Sequence, residues 1–204
     1  MTGLLPEALD RAREAGDLLS GGDFSQETAA GLDFSGLDLR DCRFRSCRFR
    51  DCDFSGAAFY SCTFTDCLME GCRLSASYWK DCRLCGGKWD GADLRRSRWK
   101  DLSLEGALFR YVNFTSGVWE RISVRDCDFT ESAMSEMQLK KVVLEKADLT
   151  GAELFRTGLA GMDLTSCTLD RIVLSETCRE LKGAVINGAQ AAVVARILGI
   201  RVEP

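Results

Sequence analysis

The sequence predicts an all-β solenoid, a chain that winds around one continuous core, and three observations predict it. Large apolar residues recur at every fifth position without a slip. A second, smaller apolar residue stands two positions before most of them. The only prolines, Pro6 and Pro204, lie at the ends, so nothing interrupts the middle of the chain.

The main register starts at Phe34 and steps by five through Leu39, Phe44 and Phe49 to Leu169 and Leu174. All 29 positions are large and apolar, and all four tryptophans, Trp79, Trp89, Trp99 and Trp119, fall on it. With 46% apolar residues, chance gives such a run with odds of roughly 10⁻¹⁰, which settles the period. The second position holds Cys42, Cys47, Cys52, Ala57, Cys62, Cys67, Cys72, Ser77, Cys82, Gly87 and Ala92, and later Leu102, Val112, Ile122, Met137, Val142 and Met162. The remaining positions are mostly polar, as in Asp51-Cys-Asp-Phe-Ser55. A period of five fits neither a 3.6-residue helix nor a two-residue strand. It fits a chain that turns a corner every five residues, with two side chains inward and three outward.

Over about residues 32–177 this pattern resembles the pentapeptide-repeat family. The resemblance implies a right-handed quadrilateral parallel β-solenoid with four pentapeptides per turn. The 29 units then make about seven coils, and stacked strands about 4.8 Å apart give a rod roughly 35 Å long. Residues twenty apart stack, so Phe59, Trp79, Trp99, Trp119 and Leu139 form one internal column, and Phe49, Met69, Trp89, Phe109 and Phe129 another. Each coil buries its faces only on its neighbours, so both ends need caps.

Three segments follow: 1–22, an N-terminal helix and cap; 23–178, the solenoid; and 179–204, a C-terminal helix and strand. Residues 4–15 suit a short helix with Pro6 in its first turn and Leu5, Ala8, Leu9 and Ala12 on one face. It reads as a cap over the first coil, with a partner-binding helix as the alternative. At the other end, Asn187 suits an N-cap, Gly199 a stop after about Leu198, and Ile200 to Val202 a short strand.

There are eleven cysteines and no histidine. Nine cysteines occupy the small inward position, where in-register stacking holds their Cβ atoms too far apart for disulfides, so they read as small buried hydrophobes. Cys82 and Cys85 suggest a metal site, but no second such pair or His completes it, and Cys82 points inward while Cys85 points outward. Cys85 and Cys178, off the inward register, are expected to be the reactive thiols. Without His, imidazole catalysis is excluded, and no nucleophile–base–orienter set is recognisable. The expectation is no enzyme and no cofactor. No signal sequence or membrane span is evident, and free thiols suit a reducing cytoplasm.

The C-terminal segment resembles the end of the Qnr and MfpA group of pentapeptide-repeat proteins, on Leu181, Gly183, Ala184, Gln190, Ala191, Leu198, Gly199, Ile200 and Val202. That resemblance implies a homodimer, with an interface built from Gln190, Ala191, Val194, Ala195, Leu198, Ile200 and Val202. It also implies a DNA mimic that binds a type II topoisomerase, DNA gyrase or topoisomerase IV, and protects it from quinolones or natural topoisomerase poisons. The alternative is an interaction scaffold with an unrelated partner.

The net charge of −4 argues against direct nucleic-acid binding. A decoy needs an acidic stripe, and residues 126–176 carry ten acids and five bases. On a square coil Asp128, Glu131, Asp148 and Asp170 project from one face, the candidate acidic column. Arg98, Lys100, Arg121, Lys140 and Lys141 share another face. Arg40, Arg43, Arg45, Arg48 and Arg50 make a basic collar that departs from uniform mimicry.

Overall fold

The computed structural model of the chain describes residues 4–203. It is a parallel β-solenoid between two helices, α1 (Leu4–Glu14) and α2 (Gly188–Ile197). Wall one carries Leu19, Leu39, Phe59, Trp79, Trp99, Trp119 and Leu139 in register, so each step along it is twenty residues. Wall two runs in the same way from Phe24 to Leu144. Walls one and two merge into one sheet because the strands Arg98–Glu105 and Val118–Arg125 continue around the corner between them. Wall three has short strands at Thr28–Ala30, Arg48–Arg50 and Leu68–Glu70, then continues as single bridges from Leu68 through Lys88, Leu108, Asp128 and Asp148 to Thr168. Wall four is bridges alone, from Asp33 to Val173.

The corner has a simple backbone cause. Every fifth residue from Gly21 to Gly161 has a left-handed φ, between +50° and +71° over most of the run and +77° at Gly161. It always lies two residues after the large inward side chain. Glycine and aspartate recur there (Gly36, Asp41, Asp51, Gly56, Asp66) because they tolerate this conformation. Each larger residue at a corner costs about 1–2 kcal/mol, offset by the core and the interstrand hydrogen bonds. Those bonds link successive coils: the Phe34 amide donates to Asp53 O at 2.7 Å and the Arg43 amide to Gly22 O at 2.8 Å.

The expected columns are present. Phe59 stacks on Trp79 with ring centroids 3.8 Å apart, Trp99 on Trp119 at 5.0 Å, and Phe109 on Phe129 at 5.3 Å. The nine inward cysteines are buried and all eleven are free. They are more than small hydrophobes. Eight thiols donate to a backbone carbonyl 23 residues earlier, on the preceding coil: Cys42 to Leu19, Cys62 to Leu39 and Cys82 to Phe59 form one column, at 3.4–3.5 Å. Thr157 uses the same contact, from its hydroxyl to Met134 O at 2.5 Å.

Four details differ from the sequence reading. The first coil begins at Leu18, inside the segment assigned to the N-terminal cap, because Leu18–Ser20 pairs with Asp38–Arg40. Leu19, Phe24 and Ala29 extend the inward register back before Phe34. No strand forms at Ile200 to Val202, where the chain leaves α2 without a pairing edge. Cys178 is buried, and burial pushes its thiol away from the reactive thiolate, so it is not a reactive site. Cys85 is half-buried and its thiol is also raised, by desolvation and by Glu105.

Candidate protein-binding surfaces

The helix α1 lays Leu5, Leu9 and Ala12 onto the first coil, all buried. Its apolar face is thereby covered, as a cap requires. At the other end α2 is tied down mainly by polar contacts. Asn187 accepts the Gln190 amide and the Gln190 side chain accepts the Asn187 amide, a reciprocal cap. The Gln190 side-chain amide then donates to Leu164 O and Cys167 O, both at 2.7 Å, and Asn187 Nδ2 donates to Thr165 O at 2.9 Å. Gln190, expected at an interface between copies, is therefore buried within its own chain and caps the last coil. It is the one buried residue of α2. Ala191 is exposed, Val194 and Ala195 are half-buried, and Leu198, Ile200 and Val202 are 47%, 55% and 38% exposed. The structure thus gathers the apolar members of the expected set at the outer end of the rod.

The structure brings the acidic column together on wall three and its corner. Asp128 and Asp148 are adjacent rungs of the ladder, Asp170 lies one coil further, and Glu131 occupies the following corner with φ +55°. The charge there is partly committed. Asp128 Oδ1 accepts the Thr130 amide, and Asp148 Oδ1 accepts both the amide and the hydroxyl of Thr150. These are local turns that shape the wall. Asp128 also lies 3.9 Å from Arg110, and Glu131 lies 3.8 Å from Arg171. Asp148 and Asp170 form no ion pair among the described residues.

The basic residues divide likewise. On the face of Lys100 and Lys140, Arg121 bonds Asp101 at 2.8 Å and also Glu120, and Lys140 lies 3.8 Å from Glu120. Those pairs hold the Asp101 and Glu120 carboxyls below their ordinary range. In the collar, Arg40 pairs with Asp38, Arg45 with Asp23 and Arg50 with Glu70. Arg43 and Arg48 form no ion pair among the described residues.

The sequence reading missed Glu180. It is buried, and its carboxylate accepts the Arg156 amide, the Ser175 amide and the Ser175 hydroxyl. It borders a groove of about 510 Å³ with Phe155, Arg156 and Arg179. Nothing in its local spacing marks it, since the register has already ended. Among the described residues no group of three or more Cys, Asp or Glu is placed to hold a metal ion, and no helix is long and apolar enough to cross a membrane.

Residues 42–117 match the model of the pentapeptide repeat region. No sequence match is found among curated proteins. Among solved structures, a trypsin-treated variant of QnrB1, described as a plasmid-mediated fluoroquinolone resistance protein, is similar with a TM-score of 0.56 at 22% identity, over 90% of this chain and 91% of that one. HetL from the cyanobacterium Nostoc, a pentapeptide-repeat protein involved in regulating heterocyst differentiation, matches at 15% identity over 87% of this chain and 95% of its own, with a TM-score of 0.33. A corner at every fifth residue, wound around paired inward side chains from Leu19 onward, is the architecture of a pentapeptide-repeat solenoid, and over residues 42–117 the chain is similar in sequence to the pentapeptide repeat region as well.

Proposed function

We propose that the chain is a homodimeric, non-catalytic rod that occupies the duplex-binding groove of a type II topoisomerase, DNA gyrase or topoisomerase IV, and so protects it from quinolones or natural topoisomerase poisons. The observation that carries this reading is the likeness of fold, over 90% of the chain, to a protein described as conferring fluoroquinolone resistance. Two physical features support it. Wall three presents Asp128 and Asp148 on successive rungs about 4.8 Å apart, and Asp170 on the next coil, two residues along from the rung held by Thr168. Duplex DNA carries one charge per about 1.7 Å, so the corner residue Glu131 must add to them for a comparable stripe.

The second feature is α2. A ten-residue helix is marginal alone in water, and here its apolar residues are left half-open at the end of the rod. A second copy covering Val194, Leu198 and Ile200 removes that surface from water and doubles the rod to roughly 70 Å, about 20 base pairs at 3.4 Å each.

The test is a supercoiling assay with purified gyrase and a quinolone. Added protein should restore supercoiling in a concentration-dependent way, and no rescue at any concentration refutes the reading. Residues 36–100, with 13 bases against 9 acids, favour a second reading, a scaffold for a different partner, because Arg43, Arg48, Arg83 and Lys88 lie outward on walls two and three with no ion pair among the described residues. Capture of one stoichiometric partner other than a topoisomerase would support it.

A further inference from the structure

The corner between walls three and four carries Asp51, Gly71, Gly91, Tyr111, Glu131 and Gly151, one per coil, all with left-handed φ. Tyr111 does not suit this position. It is the only aromatic residue with a positive φ among the described residues, at +58°. It is also 66% exposed, the most open of the large hydrophobic side chains among the described residues. Its ring therefore adds little to the core, while its backbone is held where glycine or aspartate sits more easily. A residue kept against its local preference and turned to solvent points to function.

The surroundings indicate what the ring meets. The next coil on one side bears Gly91, and a Cβ built there meets nothing within 4 Å, so that flank of the ring is open. On the other side stands Glu131, its carboxyl turned over Gly151 and 3.8 Å from Arg171. Arg110 is held by Asp90 at 2.7 Å and lies 3.9 Å from Asp128. Asp90, Asp128 and Glu131 stand against two arginines, Arg110 and Arg171, which leaves one negative charge in excess around a protruding aromatic ring. A cation is attracted to the face of such a ring, and tyrosine is, with tryptophan and arginine, enriched among the residues that anchor protein interfaces.

We infer that Tyr111 is an aromatic anchor for a basic protein surface, seating an Arg or Lys of the partner against its ring. The partner is the basic groove of the topoisomerase, so the inference rests on the function proposed above.

The experiment measures affinity for purified gyrase by surface plasmon resonance with wild type, Tyr111→Gly and Tyr111→Phe, after circular dichroism melts establish that each variant is folded. Tyr111→Gly should melt at or above the wild-type temperature, because it relieves the corner, yet bind at least tenfold more weakly. Tyr111→Phe should stay within about threefold of wild type, because the ring is kept. If wild type binds and Tyr111→Gly binds equally well, the anchor is refuted and the function stands. If Tyr111→Phe is as weak as Tyr111→Gly, the hydroxyl rather than the ring is what matters and the inference fails. If wild type itself does not bind gyrase, the function and the anchor's partner fall together.

Discussion

The Glu180 carboxylate accepts the Arg156 amide at 3.0 Å, in the place where the corresponding amide one coil earlier, that of Glu136, donates to a backbone carbonyl, Phe155 O. At Ser175 the chain leaves the coil, and one buried acid stands in for the missing backbone.

That substitution makes the last coil sensitive to pH. The hydrogen bonds from Arg156 and Ser175 outweigh burial and hold the Glu180 carboxyl below the usual glutamate range. An unfolded glutamate titrates near 4.3. The stabilisation is therefore fully present above that pH and is lost as pH falls through the lower folded value. Glu180→Gln should cost about 1–3 kcal/mol at pH 7, since buried donors lose their partner. Urea unfolding of both proteins at pH 7 and near pH 3 checks this, and the gap between them should narrow in acid.

The cysteines should behave as two classes. Ten are buried and only Cys85 is half-open. Burial pushes the Cys127 thiol up to about 11, far from a reactive thiolate at neutral pH. Brief alkylation of the native protein followed by mass spectrometry should label Cys85 first and slowly, and the others only in denaturant. Within the core, Cys62→Ser keeps a donor for Leu39 O and should cost about 1 kcal/mol or less. Cys62→Val removes the donor and adds volume between stacked coils, and should cost about 1–3 kcal/mol.

Gly87 and Gly91 separate two demands that glycine meets. At Gly91 the φ is +71° and a Cβ meets nothing within 4 Å; at Gly87 the φ is +81° and a Cβ falls 2.3 Å from Cys67 O. Gly91→Ala should therefore cost about 1–2 kcal/mol, the backbone preference alone. Gly87→Ala forces the neighbouring coil's backbone to move and should cost more, upward of about 3 kcal/mol. Thermal melts of the two variants give the comparison directly.

The same pair shows where the sequence stops being legible. Period, inward columns, end helices and the Asn187 cap all follow from local rules repeated along the chain, so each was readable. Gly87 sits at the small inward position and reads there as one more small residue. Only the coil geometry shows that its backbone is itself left-handed and pressed on Cys67. Gln190 was assigned outward because helical spacing does not reveal that carbonyls of Leu164 and Cys167 end unpaired at the last coil. The period puts Asp128 and Asp148 on one ladder, yet the turns they make and the cross-coil ion pairs depend on side-chain reach, which periodicity does not encode.

The end of the rod gives the last prediction. Val194 is half-buried on α2, and Leu198 and Ile200 just beyond it are half-open. If a second copy covers this face, Leu198→Asp or Val194→Asp places an unpaired charge in an apolar interface, at a cost of several kcal/mol. The variants should then run as monomers in light scattering where the wild type runs as a dimer. Their far-ultraviolet β signal should be unchanged, because α2 contributes a single buried residue, Gln190, to its own chain. Equal masses for wild type and both variants would remove α2 from the interface, and with it the doubled rod length that the topoisomerase reading uses.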